Sequence, residues 1–334
     1  MNINLKKIKY NNCKINLGIE ILRMLLCFWV ISFHCSGLKY KILRTFFHVP
    51  TFMLISFYFS YNLFEAQNIA KIKNRIERLL IPFIIIPIIN ILIILPGLKT
   101  NIKFIINDLF LQYITGYKTL VSLWFIQILI LFTIFFEIIF YFFKKKSLLI
   151  LRLLAIISYW VQYSEYNYKI FSNHRPHLRS VSHIAEMIPI AVTGINICSI
   201  KLLKTLNNSY KESIFVSIIV LYFIYNYKVF GEFNGFPYSG IRNNLGGLCL
   251  FISFSIIPLY NLNNTFYFNI IREISKYTGG IYYFHPIIFT ILNRLTNFHN
   301  KSIFKCVIIY IIGYLICFIG TKIFGRNKFK YLFN

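Results

Sequence analysis

The stretch Leu22–His34, LRMLLCFWVISFH, is apolar for ten residues between an arginine and a histidine. Arg23 and His34 are eleven positions apart, which at about 100° per residue places both on one helix face, roughly 16 Å apart along the axis. Glu20 lies one turn before Arg23 on the same side. The stretch predicts a membrane helix whose polar stripe faces a bundle, with Glu20 and Arg23 paired near the inner face and His34 near the outer face.

Two interpretations of this stripe stay open on the first helix alone. Ionisable side chains inside a bilayer are costly and usually face protein or water, which favours a functional site. In the structural alternative, Arg23 snorkels to the inner headgroups, Glu20 neutralises it, and His34 sits at the outer interface.

The composition predicts an all-α, polytopic membrane protein. Of the 334 residues, 57% are hydrophobic and only 14% are charged, against roughly 25% in a soluble domain. Apolar runs of span length recur to the end of the chain. No small-residue cleavage site follows the first run, so we expect a retained helix rather than a signal peptide. We expect residues 1–334 to form a single membrane domain without a soluble domain.

About ten transmembrane helices are predicted in one bundle. More lysines and arginines fall in the connectors on the side of the two termini, which favours cytoplasmic N- and C-termini. The net charge of +26 is spread over short connectors, where it suits anionic lipid headgroups of the bilayer rather than nucleic acid. The predicted spans are 17–36, 45–64, 79–96, 121–142, 147–163, 182–200, 213–230, 243–260, 278–294 and 303–324.

We expect no metal site. The seven cysteines show no paired spacing. The basic segment with His174, His177 and His183 lacks a cysteine or carboxylate ligand pattern apart from Glu186. This segment is either an ordinary solvated loop or a basic mouth that attracts an acidic glycan. Glu186, near the outer end of its span, is expected to be exposed at the interface, with the alternative that it helps to orient a histidine.

A second basic motif lies at the cytoplasmic mouth of the third span. Arg75 and Arg78 are at positions i and i+3, so they are neighbours on one helix face. Two adjacent guanidiniums suit a phosphate or pyrophosphate, because each offers a bidentate fork. The alternative is a plain cytoplasmic anchor.

Five short segments, in this order along the chain, resemble motifs of the acyltransferase-3 family of integral membrane proteins. Each is weak alone, and together they are specific. Phe57 departs from the pattern, because glycine is common at its position. The segments are Glu20 with Arg23 and His34; Phe47–Ser56 (FHVPTFMLIS); Arg75 and Arg78 followed by LLIPF; Ser122–Ile126 (SLWFI); and Tyr282–Ile287 (YYFHPI).

The resemblance implies transfer of an acyl group from cytoplasmic acyl-CoA to an acceptor at the outer face, commonly a sugar hydroxyl of a surface glycan. By resemblance, Arg75 and Arg78 hold the phosphates of coenzyme A, Arg23 helps to position it, and His34 is catalytic. We place Glu20 with His34 among the catalytic residues. Trp124, at the start of the SLWFI helix, is a candidate at the donor site whose indole N–H would stabilise an oxyanion.

His34 has two possible roles, and the sequence leaves both open. A neutral histidine can take the proton of the attacking hydroxyl as a general base, or it can carry the acyl group briefly. His48 and His285 each lie close to a proline, and we expect structural roles for both, with His285 near the inner side.

The resulting prediction is an O-acetyltransferase of a bacterial cytoplasmic membrane that uses acetyl-CoA and acts on a glycan or lipid-linked sugar, in possible association with glycan-assembly machinery. The alternative is a polysaccharide transporter or flippase whose stripe lines a substrate path. The pair Arg75 and Arg78 favours the enzyme, because a glycan flippase has no need of a site for a cytoplasmic nucleotide donor.

Overall fold

Every regular element in the described part of the chain is helical, which confirms the all-α prediction. The structure is a computed structural model. It describes residues 16–35, 47–94, 123–168, 176–202, 214–215, 217–219, 241–256, 266–295, 303–325 and 328–333.

Ten helices of eleven residues or more are described, together with two short 3-10 turns at Lys144–Lys146 and Lys328–Leu332. In chain order the helices are α1 (Leu17–Cys35), α2 (His48–Glu65), α3 (Ile69–Ile94), α4 (Trp124–Phe143), α5 (Ser147–Tyr168), α6 (Pro176–Ser199), α7 (Ile241–Ile256), α8 (Phe266–Lys276), α9 (Thr278–Leu295) and α10 (Ile303–Phe324).

Among the described residues, three helical stretches are long and apolar enough to cross a membrane. They are Leu17–His34, Trp124–Gln162 and Ile303–Phe324. The second covers both α4 and α5, and the chain bends sharply between them, since Ser147 Oγ donates to the Ile139 carbonyl 3.2 Å away. The predicted span 213–230 lies mostly outside the described residues, so the number of ten spans stays a prediction.

The predicted start of the third span, residue 79, is wrong as a helix boundary. The helix α3 begins ten residues earlier, at Ile69. Asn68 caps this first turn, because its Oδ1 accepts the Lys71 backbone N–H at 3.1 Å. The first part of α3 is amphipathic, with Ile72 buried beside exposed Lys71 and Lys73. Hydropathy marks only the apolar part of such a helix, which is why the sequence placed the start too late.

The eighth helix, α8, was not predicted. Its eleven residues, FYFNIIREISK, are too few to span a bilayer, and they combine exposed Phe266 and Tyr267 with Arg272 and Lys276. It packs beside α1, and only Tyr277 separates it from α9. The position of α8 therefore decides where along α1 the helix α9 begins.

The helices α1 and α9 run in the same direction in a fixed register. Cys27 Sγ donates to the Thr278 carbonyl at 3.5 Å. Seven residues further along each helix, the rings of His34 and His285 lie with their centroids 5.3 Å apart. Seven residues rise by about 10.5 Å, so these two contacts mark the same two levels on both helices.

Three contacts bring together helix ends that the predicted topology places on one side. Gln67, between α2 and α3, donates to the Phe140 carbonyl near the end of α4. Arg152 of α5 donates to Asn196 near the end of α6. Asn16, before α1, donates to the Ser255 carbonyl near the end of α7. The up-and-down path is consistent with these contacts, and the assignment of this side to the cytoplasm stays a prediction.

The helices α2 and α6 approach each other closely at Gly194. A Cβ atom at this position would lie 2.5 Å from the Leu54 carbonyl oxygen and 3.0 Å from the Tyr58 backbone nitrogen. Small residues at such points let helix backbones approach, and that close packing drives association of membrane helices.

We expect Gly194→Ala to destabilise the protein by about 1–3 kcal/mol, because backbone atoms of α2 would have to move. Gly313→Ala is the matched control, since its nearest neighbour would be a side-chain carbon of Ile281 at 3.2 Å, which can shift. Thermal unfolding in detergent measures both. Equal stability of the two variants would contradict the close approach of α2 and α6.

Candidate active site

The three arginines singled out in the sequence line one cavity. Arg23 comes from α1, Arg75 and Arg78 from α3, and the rest of the wall from α2, α4 and α9. The cavity has a volume of about 320 Å³, which falls in the range of small-molecule sites. The convergence of α1 and α3 at this cavity is what the sequence could not show, because these residues are far apart along the chain.

Arg75 is held rigidly by the cavity wall. Its Nη2 donates to Ser56 Oγ at 2.7 Å and its Nε donates to Thr133 Oγ1 at 3.1 Å. The guanidinium also lies over the Phe57 ring, 5.5 Å from its centroid. A guanidinium has five N–H donors, so these two bonds orient the group and leave others for a ligand. The sequence assigned no separate role to Ser56, although it ends one of the five segments, and none to Thr133, although it is a polar residue within the apolar run of α4.

Phe57, which departs from the family pattern, has a clear place in this wall. It is fully buried, and its ring packs edge-on against Phe136 with centroids 5.0 Å apart. Phe57 therefore contacts the Arg75 guanidinium with its ring and joins α2 to the aromatic side chains of α4. An arginine over an aromatic face gains a cation–π contribution that a glycine could not provide.

Arg78 is exposed at the mouth of the cavity. In the described part of the chain no carboxylate forms an ion pair with Arg75 or Arg78. Two guanidiniums one turn apart, neither in an ion pair with a carboxylate among the described residues, create a positive site that attracts anionic groups.

Arg23 pairs with Glu20, as predicted, with Nη1 and Oε2 3.0 Å apart. Its Nη2 also donates to Thr278 Oγ1 at 3.2 Å, which fastens α1 to the start of α9. Glu20 precedes His34 by fourteen residues, or about 21 Å along the helix. The structure therefore places Glu20 beside the arginine cavity and does not bring it to His34.

His34 and His285 lie together, which overturns one sequence prediction. His34 was expected near the outer face and His285 near the inner side, yet their ring centroids are 5.3 Å apart. The prediction for His285 is wrong because it took the start of α9 as level with the start of α1. Instead, Thr278 lies level with Cys27, so α9 begins about 15 Å along α1 and His285 stands beside His34.

A proline explains the local geometry of His285. Pro286 has no backbone N–H, so the carbonyl of Tyr282, four residues before it, loses its helical donor. His285 Nδ1 lies 2.6 Å from this oxygen and takes the place of the missing donor. The expected structural role of His285 thus has a physical basis.

Tyr282 joins the arginine cavity to the two histidines. It lines the cavity, and its ring centroid lies 5.7 Å from that of His285. Tyr283, Thr278 and Gly279 complete this side of the wall. One face of α9 therefore runs from the arginines to the histidine pair.

Trp124 and His48 lie outside this arrangement. The adjacent Phe125 lines the cavity, whereas Trp124 is not part of its wall and packs edge-on against Phe125 at 6.1 Å. His48 is buried between Trp29 and Phe33 at the start of α2, with ring centroids 6.1 and 5.7 Å away. This packing agrees with the structural role expected of His48.

The histidine-rich segment falls largely outside the described residues and side chains. His174 lies outside the described residues, and the side chains of His177 and His183 on α6 are not described. Glu186 is buried rather than exposed at the interface, so that prediction is wrong. Within the residues that the structure describes, no three His, Cys, Asp or Glu side chains cluster to hold a metal ion.

Comparison with known proteins matches the chain to one family. The family model described as an acyltransferase domain, that of the acyltransferase-3 family, matches residues 16–322. No curated protein and no solved structure matches the chain. The family match runs from the start of α1 into α10 and includes all three cavity arginines and both paired histidines. The protein therefore belongs to the acyltransferase-3 family of membrane acyltransferases.

Proposed function

We propose that this acyltransferase moves an acetyl group from acetyl-CoA to a hydroxyl of a cell-surface or lipid-linked glycan, with His34 at the reacting centre. The observation that carries the proposal is the cavity itself. Arg23, Arg75 and Arg78 converge there, and one face of α9 connects them to His34.

The arginines fit the nucleotide end of the donor. Coenzyme A carries a pyrophosphate and a ribose phosphate, and guanidiniums bind such oxygens in bidentate pairs. Arg75 is held by Ser56 and Thr133, so little side-chain entropy is lost when a phosphate binds. Arg78 is exposed and without a carboxylate partner among the described residues, so it meets the donor first.

The distance between the arginines and the histidine suits a long, flexible donor. Arg23 and His34 are roughly 16 Å apart along α1, a span of the order of the extended thiol arm of coenzyme A. The nucleotide end would bind among the arginines, and the thioester would lie beside His34. The stripe on α1 then lines the path of the donor.

Two routes for the acyl group satisfy the same geometry. As a general base, neutral His34 takes the proton of the acceptor hydroxyl while the oxygen attacks the thioester carbonyl; the C–S bond then breaks and His34 gives this proton to the leaving thiolate. As a nucleophile, a His34 ring nitrogen bonds to the acyl carbon, the C–S bond breaks, and the thiolate takes the proton of the other ring nitrogen. The hydroxyl then attacks the acyl-imidazole, the C–N bond breaks, and the ring takes the hydroxyl proton. Both routes use a neutral His34.

The sidedness of the reaction follows from the predicted topology. With both termini in the cytoplasm, the arginine cavity opens toward the cytoplasmic acyl-CoA pool, and the acceptor reaches His34 from the other side. This arrangement suits a bacterial cytoplasmic membrane whose glycans are modified before or during export. Trp124 stays a candidate for oxyanion binding. Glu20 is paired with Arg23 about 21 Å along α1 from His34, so it would act at the donor end of the site rather than on the reacting atoms.

We expect His34→Ala to lower kcat by about 10²–10⁴-fold, which is the usual contribution of a positioned acid or base. Transfer of labelled acetyl from acetyl-CoA to membrane glycan measures the rate. Binding of labelled acetyl-CoA to the purified protein should persist, since the phosphates bind elsewhere. A His34→Ala variant with wild-type turnover would contradict the assignment.

We expect Arg78→Ala to raise the KM for acetyl-CoA about 10–100-fold with little change in unfolding temperature, because an exposed guanidinium loses only its bonds to phosphate. Arg75→Ala should raise the KM and also lower stability, since it removes the bonds to Ser56 and Thr133. Arg152→Ala is the matched control: this arginine is exposed, on the same side of the bundle, and bonded to Asn196 outside the cavity. An equal KM for the Arg78→Ala and Arg152→Ala variants would refute phosphate binding by Arg78.

A further inference from the structure

We propose that His285 is a positioning residue for His34, accepting a hydrogen bond from the imidazolium that forms there during acyl transfer. This inference rests on the proposed role of His34. His285 would touch neither donor nor acceptor, and would act only through the neighbouring ring.

The Tyr282 carbonyl determines the tautomer of His285. Its Nδ1 lies 2.6 Å from the Tyr282 carbonyl, and a carbonyl oxygen can only accept a hydrogen bond. Nδ1 therefore carries the proton. In the neutral ring, Nε2 then carries a lone pair and is an acceptor. Residue 286 is a proline, so no backbone N–H competes for the Tyr282 carbonyl and His285 keeps the tautomer with the proton on Nδ1.

The rings of His34 and His285 lie close together. Their centroids are 5.3 Å apart and their planes are inclined by 33°. The proposed bond requires the His34 ring to turn toward His285 Nε2, and catalytic hydrogen bonds commonly form or tighten only when substrate is bound. His285 is buried, whereas His34 is exposed, so His34 faces incoming groups and His285 lies behind it.

The helix α9, which carries His285, is held in place by contacts on two sides. Arg23 and Cys27 both bond to Thr278, which fixes α9 along α1. On its other side α9 is clamped at Gly280, where a Cβ would lie 2.5 Å from Cys317 Sγ and 2.7 Å from the Phe333 carbonyl. Because α9 is held on both sides, the Nε2 acceptor of His285 has a fixed position and can favour one orientation of the His34 ring.

The proposed bond would stabilise the positive charge that forms on His34 during the reaction. When His34 takes the hydroxyl proton it becomes a cation in an apolar bundle, which is costly without a partner. Its N–H then donates to His285 Nε2, and no proton is transferred to His285. When the proton passes to the thiolate, His34 returns to the neutral form and the bond weakens. The partner thus acts mainly on the transition state and lowers the barrier.

Two isosteric variants separate this role from a merely structural one. In His285→Asn the side-chain NH₂ replaces Nδ1–H and keeps the bond to the Tyr282 carbonyl, but no acceptor remains toward His34. In His285→Gln the side-chain oxygen replaces the Nε2 acceptor, but the bond to Tyr282 is lost. Pro286→Ala restores a backbone donor for Tyr282 and serves as the background that removes the structural need for His285.

We expect His285→Asn to keep its unfolding temperature and its KM for acetyl-CoA, and to lose about 10–100-fold in kcat, as befits a lost hydrogen bond to a charged group. His285→Gln should unfold earlier yet retain more turnover than the asparagine variant, and Pro286→Ala should restore its stability. His34→Ala combined with His285→Asn should be no slower than His34→Ala alone, because both act on one step.

Wild-type turnover of His285→Asn, with His34→Ala inactive, would overturn the positioning role and leave the proposed function standing. A further loss in the double variant would also overturn it, since His285 would then act independently of His34. If His34→Ala transferred acetyl at the wild-type rate, the proposed role of His34 would be refuted. The positioning role of His285 would then be refuted with it, whatever the His285 variants did.

Discussion

The parallel packing of α1 against α9 is the constraint on which the rest of the site depends. Thr278 receives bonds from both Arg23 and Cys27, and seven residues later His285 meets His34. One register therefore fixes the arginine end and the histidine end of the same path. A shift of α9 along α1 by one turn would move the His285 ring by about 5.4 Å and separate it from His34. The same shift would break the bond between Arg23 and Thr278 in the cavity wall.

The bundle offsets the cost of its buried polar groups with bonds that also orient them. Arg75 is bonded to two hydroxyls and lies over an aromatic ring, and Arg23 is neutralised by Glu20. His285 satisfies a carbonyl that a proline has left without a donor. Each of these bonds lowers the cost of burying a charge or a polar atom, and each holds its side chain in one orientation.

Much of the site could be predicted from single helices. The spacing of Glu20, Arg23 and His34 correctly indicated one face of α1 and an ion pair, and the i, i+3 pair on α3 correctly indicated neighbouring arginines. Motifs in five segments were enough to recognise the family, which the family match confirms. These features depend only on helical periodicity and local spacing.

The features that were predicted wrongly or not at all depend mostly on contacts between helices. The depth of His285 follows from where α9 begins along α1, which in turn follows from the packing of α8, a helix too short for hydropathy to reveal. The early start of α3 arises from a cap and an amphipathic turn rather than an apolar run. The roles of Ser56, Thr133 and Phe57 appear only when α2, α3 and α4 are brought together around Arg75.

The most direct test of the account is the structure of the protein bound to a non-transferable thioether analogue of acetyl-CoA in lipid nanodiscs, determined by electron cryomicroscopy. The account predicts phosphates within hydrogen-bond distance of Arg75 and Arg78, the thiol arm along the Tyr282 face of α9, and the acyl carbon beside His34. Phosphates bound away from this cavity, or an acyl carbon remote from His34, would contradict it.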